Sequence, residues 1–298
     1  MPHPAPADNR GPGAYQPARL NRPLAIIGGG NMARGILISA AGQHLLPVRD
    51  LICIAEPDTA KHPHLRLLAD HVVPSAAAAA TWLLSRERTP GDSVILLAVK
   101  PQVLAEVAPP LKALLTSAPR LVISILAGTT IAKLRSHLGA TVPTIRAMPN
   151  LPAQVGRGTT ALAIPPNITP ADATVARTLF CSAGERAFEI DESLMDAFTA
   201  VAGSGPAYFF YLAEAMAAAA EQLGFPPHLA GEIVRSTLAG SVALLQTMPD
   251  DPGQLRAAVT SKGGTTEAAI SVLVAGEFKE SLIRAITAAR DRGRQLGV

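Results

Sequence analysis

The most constraining feature of this chain is a run of four apolar residues that leads directly into three glycines. Leu24–Ile27, read LAII, has the length and composition of a short buried strand. After the glycines, Arg34–Ala41 has the composition of a helix. The order is therefore strand, tight turn and helix. In this order the pattern G-x-G-x-x-A, which Gly28, Gly30 and Ala33 fit, is typical of a site for the pyrophosphate of a dinucleotide.

Each small residue of this turn has a role in the predicted cofactor site. Gly28 permits the turn, Gly30 leaves space for the pyrophosphate, and Ala33 allows the helix to pack closely on the strand. The first N–H groups of the helix, from Asn31 and Met32, then face the phosphates together with its positive dipole end. A glycine turn without a ligand is the alternative that the local sequence leaves open.

Composition limits the classes of function. The chain has 298 residues, of which 48% are hydrophobic, 16% charged and 4% aromatic, and its formal net charge is +3. Lys and Arg are scattered and aromatic residues are few, so no nucleic-acid partner is expected. His62 and His64 form an H-x-H with a proline between them, which is too little for a metal site.

The N-terminal segment and the cysteines bear on the location of the protein. Residues 1–22 are rich in Pro, Gly and Ala and lack the apolar core of a secretory signal, so we expect a disordered tail. No run of about 18 apolar residues occurs, so no membrane span is expected. Cys53 and Cys181 lie far apart in apolar segments, which favours thiols over a disulfide. The sequence predicts a cytoplasmic protein.

The first of two differently patterned parts extends from residue 23 to residue 191. Short apolar strands alternate there with helical stretches, and runs such as VILLAV and LVISIL are apolar on both faces. Strands covered by helices on both sides have this composition, so we predict a doubly wound α/β domain of the Rossmann type. The predicted strands are Leu24–Ile27, Leu51–Ala55, Val94–Val99, Leu121–Leu126, Thr144–Ala147, Thr159–Ile164 and Arg186–Ile190.

The second part, residues 192–298, shows helical stretches from Ser193–Val201 onward and no convincing strand. The stretch that begins at Pro206 ends before Gly224 and is apolar around most of its circumference. About 100 residues can hardly enclose several such helices, so burial against a second copy of the chain is expected. The sequence therefore predicts an all-α dimerisation domain and a homodimer.

Glu56 follows the second predicted strand, 26 residues after Gly30. A carboxylate at this place in the fold accepts hydrogen bonds from the adenosine ribose and repels a 2′-phosphate. NADH is therefore expected to serve at least as well as NADPH. Lys61 lies five residues further on, and no arginine follows closely. A solvated loop glutamate is the alternative.

Small or polar residues also end three later strands. Val99, Lys100 and Pro101 follow one of them, and Lys100 is either a ligand of cofactor phosphate or ribose or a surface lysine that caps the strand. Ala127 ends the next strand, and the run Arg146–Asn150 ends the one after. Because the carboxyl ends of parallel strands meet at one edge, we expect a cleft for the nicotinamide there.

A second glycine turn, VTSKGGTT, occupies residues 259–266 and precedes a helix that begins near Thr265. Two glycines, hydroxyl residues and a lysine at a helix N-terminus can bind a small carboxylate through backbone N–H groups. An ordinary turn between two helices, with threonine as the cap, is the alternative.

Together these motifs resemble those of the pyrroline-5-carboxylate reductase family of proline biosynthesis. IGGGNMA, LAVKPQ, ISILAG, RAMPN, GSGPAY and VTSKGGTT occur in the family's order, and the resemblance extends from Pro23 to Gly297. It implies hydride transfer from NADH or NADPH to (S)-1-pyrroline-5-carboxylate, which gives L-proline. It also implies a helical C-terminal domain that exchanges contacts across a dimer, with the dimers joined as a pentamer of dimers, a decamer.

The resemblance also assigns roles by position. Val99, Lys100 and Ala127 would line the cofactor, with Pro101 beside them. The Thr266 hydroxyl would lie near the ring nitrogen of the substrate as the catalytic group. The residues that would hold the substrate are Ser261, Gly263, Gly264, Thr265 and Thr266.

The chain departs from the family pattern at several places. Lys262 stands where the family usually has proline, and Ala257 and Ala258 replace an acidic and amide pair. Glu56 replaces a residue that is often small, and Ala76–Glu87 interrupts the alignment on the adenine side.

Two other functions remain open from the sequence. A β-hydroxyacid dehydrogenase would share both halves. The enzymes of that class resemble one another in having a lysine on the long interdomain helix, which handles the hydroxyl proton. This chain has no lysine between Arg186 and Lys262. A non-catalytic dinucleotide sensor that signals through its dimer is the other alternative.

Overall fold

The computed structural model describes residues 19–182 and 184–296. Contacts divide the chain into two units. The sheet unit runs to Phe198 and also includes the chain from Gly293 onward, and the helical unit is Thr199–Arg292. The boundary predicted after Asp191 lies a few residues before this division. Residues 1–18 of the predicted disordered tail lie outside the described residues.

The last four residues of that predicted tail, 19–22, are packed against the sheet unit rather than disordered. Leu20 is buried, and its N–H donates to the Leu45 carbonyl at 2.8 Å. The Arg22 guanidinium lies 2.6 Å from a carboxylate oxygen of Asp172 and 3.3 Å from one of Asp92. The composition of residues 1–22 does not indicate this packing, because the partner residues lie far away in the sequence.

Eight strands of the described residues form one sheet in the order β3-β2-β1-β4-β5-β6-β7-β8. All neighbouring pairs are parallel except β6 and β7. The chain order reverses between β1 and β4, which is the switch point where open α/β sheets bind ligands. The strands are β1 (Leu24–Ile27), β2 (Ile52–Ala55), β3 (His71–Val73), β4 (Val94–Leu97), β5 (Leu121–Ser124), β6 (Thr144–Met148), β7 (Gly158–Ala163) and β8 (Gly184–Glu189).

The doubly wound fold predicted from the sequence is confirmed, and each of the seven predicted strands has a counterpart in the sheet. Strand β3 was not predicted, because three half-buried residues at the sheet edge give no periodic pattern. The predicted helix Ser193–Val201 is wrong as a single element. This stretch consists of a 3-10 turn, a short α-helix and the π-helical turn Thr199–Gly203.

Helices cover both faces of the sheet. Successive side chains of a strand point to opposite faces, and all four residues of β1 are buried. Leu24 and Ile26 lie in one core cluster with α1 and α6, whereas Ala25 and Ile27 lie in another with α3, α4 and α5. The helices of this unit are α1 (Asn31–Gly42), α2 (His62–Leu65), α3 (Ala76–Arg86), α4 (Leu104–Ser117), α5 (Ile131–Leu138), α6 (Pro170–Ser182) and α7 (Met195–Phe198).

The helical unit leaves large apolar side chains exposed. Phe210 is 60% exposed, Tyr211 72% and Val272 71%, while Ala230 and Val234 are buried. Among the described residues, no helix is both long and apolar enough to cross a membrane. The helices are α8 (Gly205–Gln222), α9 (Pro227–Thr247), α10 (Pro252–Ala258), α11 (Thr265–Ala275) and α12 (Phe278–Leu296), the end of which belongs to the sheet unit.

A buried ion pair links the end of α3 to the start of β5. Arg120 donates to both carboxylate oxygens of Glu87 at 2.6 and 2.7 Å and to the carbonyls of Leu114 and Ala118. Burial raises the pKa of Glu87, but hydrogen bonds from Arg120 and Ser93 outweigh it and leave that pKa below its usual range. The pair therefore stabilises the fold at neutral pH, and this contribution is lost as the pH falls through the lowered pKa.

We expect Glu87→Gln to lower the free energy of unfolding by about 3 kcal/mol, because the Arg120 guanidinium stays buried without its counter-charge. Glu189→Gln is the matched control. It removes a half-exposed partner of Arg177 and should cost less than about 1 kcal/mol. Thermal and denaturant unfolding at neutral pH measure both, and the effect of Glu87→Gln should shrink in acid. Equal losses in the two variants would contradict the prediction.

Candidate active site

The predicted cofactor residues lie at one edge of the sheet. Gly28 follows β1, Glu56 follows β2, Lys100 follows β4 and Ala127 follows β5. These four strands are parallel neighbours, so their carboxyl ends share this edge. Two backbone hydrogen bonds hold the loops in place. The Gly28 N–H donates to the Ala55 carbonyl at the end of β2 at 2.9 Å, and the Ala98 N–H donates to the Ile27 carbonyl at the end of β1 at 2.8 Å.

Gly28 and Gly30 are glycines for different physical reasons. Gly28 has φ +108°, and a Cβ there would lie 2.7 Å from the Ala98 carbonyl oxygen. The backbone packing around Gly28 therefore excludes a side chain at this position. A Cβ on Gly30 would meet nothing within 4 Å. Packing does not require that glycine, but the open space next to it fits a pyrophosphate that approaches the backbone.

The start of α1 has the donors that a phosphate needs. Gly30 precedes the helix in an extended conformation, and within the described chain no side chain caps this end. The first hydrogen bond along the helix joins Arg34 N–H to the Gly30 carbonyl at 3.0 Å. The N–H groups of Asn31, Met32 and Ala33 precede that bond and have no partner inside the helix. This end of α1 therefore fits the phosphates of a dinucleotide.

Glu56 is buried and accepts hydrogen bonds at both carboxylate oxygens, which excludes the solvated loop glutamate considered from the sequence. Its Oε2 accepts the Gly29 N–H at 3.0 Å. Its Oε1 accepts the Asp58 N–H at 3.1 Å and the Lys61 ammonium at 3.2 Å. The hydrogen bond and charge of Glu56 raise the pKa of Lys61. The carboxylate thus points into the protein, toward the glycine turn.

The other predicted cofactor residues form the surface of the same edge. Val99 is half-buried, while Lys100, Pro101 and Ala127 are exposed. Lys100 precedes a 3-10 turn, and its carbonyl accepts the Val103 N–H at 2.9 Å. Contact of these residues with a cofactor stays a prediction.

The second glycine turn lies in the helical unit, between α10 and α11. Gly264 is the N-cap residue of α11, and within the described chain no side chain caps this end, so the threonine cap of the alternative is wrong. The turn does join two helices, as that alternative required, and its binding of a ligand stays a prediction. Gly263 has φ +75°, and Gly264 N–H donates to the Ser261 carbonyl at 3.0 Å. Thr265 is exposed and Thr266 is half-buried. The turn therefore presents a helix N-terminus without a side-chain cap beside the Thr266 side chain.

Glu267 is a site residue that the sequence analysis missed. Its Oε2 accepts the Gly263 N–H at 2.6 Å, so an acid of the chain itself occupies one donor of this turn. The signal was present, because an acidic residue three positions after the N-cap residue, here Gly264, commonly reaches back to the turn. Among the residues described, no group of three or more His, Cys, Asp or Glu could hold a metal ion.

Comparison with known proteins gives two family matches. The family described as pyrroline-5-carboxylate reductase dimerisation matches residues 192–296, and the family described as NADP oxidoreductase coenzyme F420-dependent matches residues 23–128. The first covers the predicted helical domain, and the second covers the strands that form the cofactor edge.

Named relatives are similar over most of the chain. Pyrroline-5-carboxylate reductase of Synechocystis sp. is 37% identical, covering 92% of this chain and 98% of its own length. The reductase of Mycobacterium tuberculosis is 38% identical, covering 92% and 97%.

Solved structures agree with these relatives. A pyrroline-5-carboxylate reductase from Coxiella burnetii has a TM-score of 0.81 and 32% identity, covering 94% of this chain and all of that one. A pyrroline carboxylate reductase from Plasmodium falciparum with NADP bound has a TM-score of 0.80 and 26% identity, with the same coverage. This chain belongs to the pyrroline-5-carboxylate reductase family.

Proposed function

We propose that this chain reduces (S)-1-pyrroline-5-carboxylate to L-proline with NADH or NADPH. The observation that carries the proposal is the identity of 37% to a pyrroline-5-carboxylate reductase across 92% of the chain. The two glycine-led helix N-termini support it, because the reaction needs one binding site for a dinucleotide and one for a substrate carboxylate.

The cofactor edge fits a nicotinamide dinucleotide. Gly28 and Gly30 with the first N–H groups of α1, from Asn31, Met32 and Ala33, would hold the pyrophosphate. Val99, Lys100, Pro101 and Ala127 would line the remaining cofactor surface. The bound cofactor supplies a hydride with its two electrons.

The substrate residues need only to hold and orient a cyclic imine. The ring carbon gains the hydride and the C=N π pair becomes the nitrogen lone pair, so a nitrogen protonated from water gives the secondary amine of proline. No strong general acid is required. The N–H groups of Thr265 and Thr266, which precede the first hydrogen bond of α11, would hold the carboxylate in the turn formed by Ser261, Gly263 and Gly264. The Thr266 hydroxyl would orient the nitrogen.

The same proposal covers assembly and location. Exposed apolar side chains on α8 and α11 favour a dimer formed through the helical unit, and we propose that dimers join as a pentamer of dimers. Cys53 is a free buried thiol, and we propose a cytoplasmic location, because thiols stay reduced there.

The direct test mixes purified protein with pyrroline-5-carboxylate and each cofactor. Cofactor oxidation is followed by absorbance, and L-proline is identified by chiral chromatography. Binding of the cofactor without turnover would point instead to a dinucleotide sensor. Turnover of β-hydroxyacids but not of the imine would point to a dehydrogenase of that class.

Gly30→Ala is expected to weaken NADPH and NADH binding by a factor of about 10 or more, because its Cβ would fill the space for the pyrophosphate. The free energy of unfolding should change by less than about 0.5 kcal/mol, since that Cβ meets no atom of the chain. Gly42→Ala is the control at the other end of α1, where space is also open. Titration calorimetry and thermal unfolding measure both variants. Unchanged affinity in Gly30→Ala would contradict the assignment.

Thr266→Ala is expected to lower kcat by a factor on the order of 10–1,000, because the imine nitrogen loses its orienting hydroxyl. Cofactor affinity should not change. Thr266→Ser keeps a hydroxyl and should retain most of the rate. Steady-state kinetics with binding titrations separate the two effects, and a normal kcat in Thr266→Ala would reject the role.

In sedimentation at micromolar concentration, the protein should run as a dimer or a multiple of dimers. The physical reason is that a single copy leaves the apolar faces of α8 and α11 in water. Light scattering gives an independent mass. A monomer by both methods would contradict the proposed assembly.

A further inference from the structure

The Glu56 carboxylate has its hydrogen bonds inside the protein. Its side chain is 8% exposed. One oxygen accepts the Gly29 N–H, and the other accepts the Asp58 N–H and the Lys61 ammonium. Gly29 lies between the two glycines of the phosphate-binding turn. Glu56 therefore ties that turn to the segment that follows β2.

The backbone around Glu56 is fixed as well. Its N–H donates to the Val73 carbonyl of β3 at 2.9 Å, and its carbonyl is 2.7 Å from His62 Nε2. Asp58 Oδ1 accepts the Ala60 N–H at 3.1 Å at the start of the next turn. Rotation of the carboxylate outward to a ribose would leave the buried Gly29 N–H unpaired, which costs about 1–3 kcal/mol.

Lys61 is the outward half of this ion pair. Its side chain is 49% exposed, and its ammonium lies 3.2 Å from Glu56 Oε1 and 3.5 Å from Asp58 Oδ2. A lysine ammonium has three donors, so a further anion in solvent can share it. In this fold, the end of the second strand is where the 2′ position of the adenosine ribose is recognised, and a cation there accommodates a 2′-phosphate.

We propose that the pair divides two tasks between its members. Glu56 is a positioning residue that holds the phosphate-binding turn through Gly29, and it does not read the ribose. Lys61 determines specificity by binding the 2′-phosphate of NADPH. The inference rests on the proposed dinucleotide function, and it reverses the sequence expectation that Glu56 favours NADH.

The test measures dissociation constants by calorimetry for NADH, NADPH and the fragments ADP and 2′,5′-ADP. Glu56→Gln should weaken NADH and NADPH alike, by about 10-fold, with their ratio unchanged within about twofold. Glu56→Ala should weaken both further, because it removes both acceptors. Lys61→Met should weaken NADPH and 2′,5′-ADP by about 10-fold and leave NADH and ADP within about twofold.

Asp70→Asn is the matched control, because it removes a carboxylate from the same connection between β2 and β3 that pairs with Arg49 instead. Its affinities should stay within about twofold of those of the unsubstituted protein. Thermal unfolding of each apoprotein accompanies the titrations. A merely structural role of Glu56 would lower the unfolding midpoint and leave the affinity of the folded protein unchanged.

Three results would overturn the inference. The first is tighter NADPH and weaker NADH binding in Glu56→Gln, as a ribose acceptor requires. The second is unchanged affinity in the folded Glu56 variants. The third is equal loss of both dinucleotides in Lys61→Met. If the unsubstituted protein binds neither dinucleotide, the proposed function itself fails, and that result is distinct from these three.

Discussion

The sheet unit depends on the close approach of Gly28 to the carbonyl of Ala98. A Cβ at that point would lie 2.7 Å from the oxygen, so the backbone after β1 can turn directly beside the end of β4 only because no side chain intervenes. This approach lies at the switch point of the strand order, and α1 begins three residues after Gly28. This steric constraint therefore fixes the turn at the sheet edge where the predicted cofactor residues lie.

Local sequence patterns predicted most of the fold, because buried parallel strands are apolar on both faces and are therefore easily distinguished from the helical stretches between them. The errors fell where other residues decide the structure. Strand β3 has only three residues and exists by pairing with β2. Leu20 and Arg22 are ordered by partners that lie 25 to 150 positions away in the sequence. No local window contains that information.

For the site, the sequence placed the residues but not the directions of their side chains. Glu56 was predicted at the correct position, yet its orientation depends on the Gly29 N–H, which faces it across the sheet edge. Spacing along the chain cannot distinguish a carboxylate that faces a ligand from one that faces its own backbone. The same limit applied to Glu267, whose partner is four residues away but depends on the left-handed φ of Gly263.

In both glycine turns a glutamate side chain accepts a backbone N–H, but the two glutamates differ in burial. In each, a glutamate of the chain accepts one N–H of the turn and so orders the turn before any ligand arrives, which reduces the entropy lost on binding. At the first turn the glutamate is buried and paired with Lys61, so releasing it would be costly. At the second turn Glu267 is exposed, and water can replace its hydrogen bond at small cost. The first turn is therefore built to stay fixed, whereas the second can yield its Gly263 N–H to the carboxylate of another molecule.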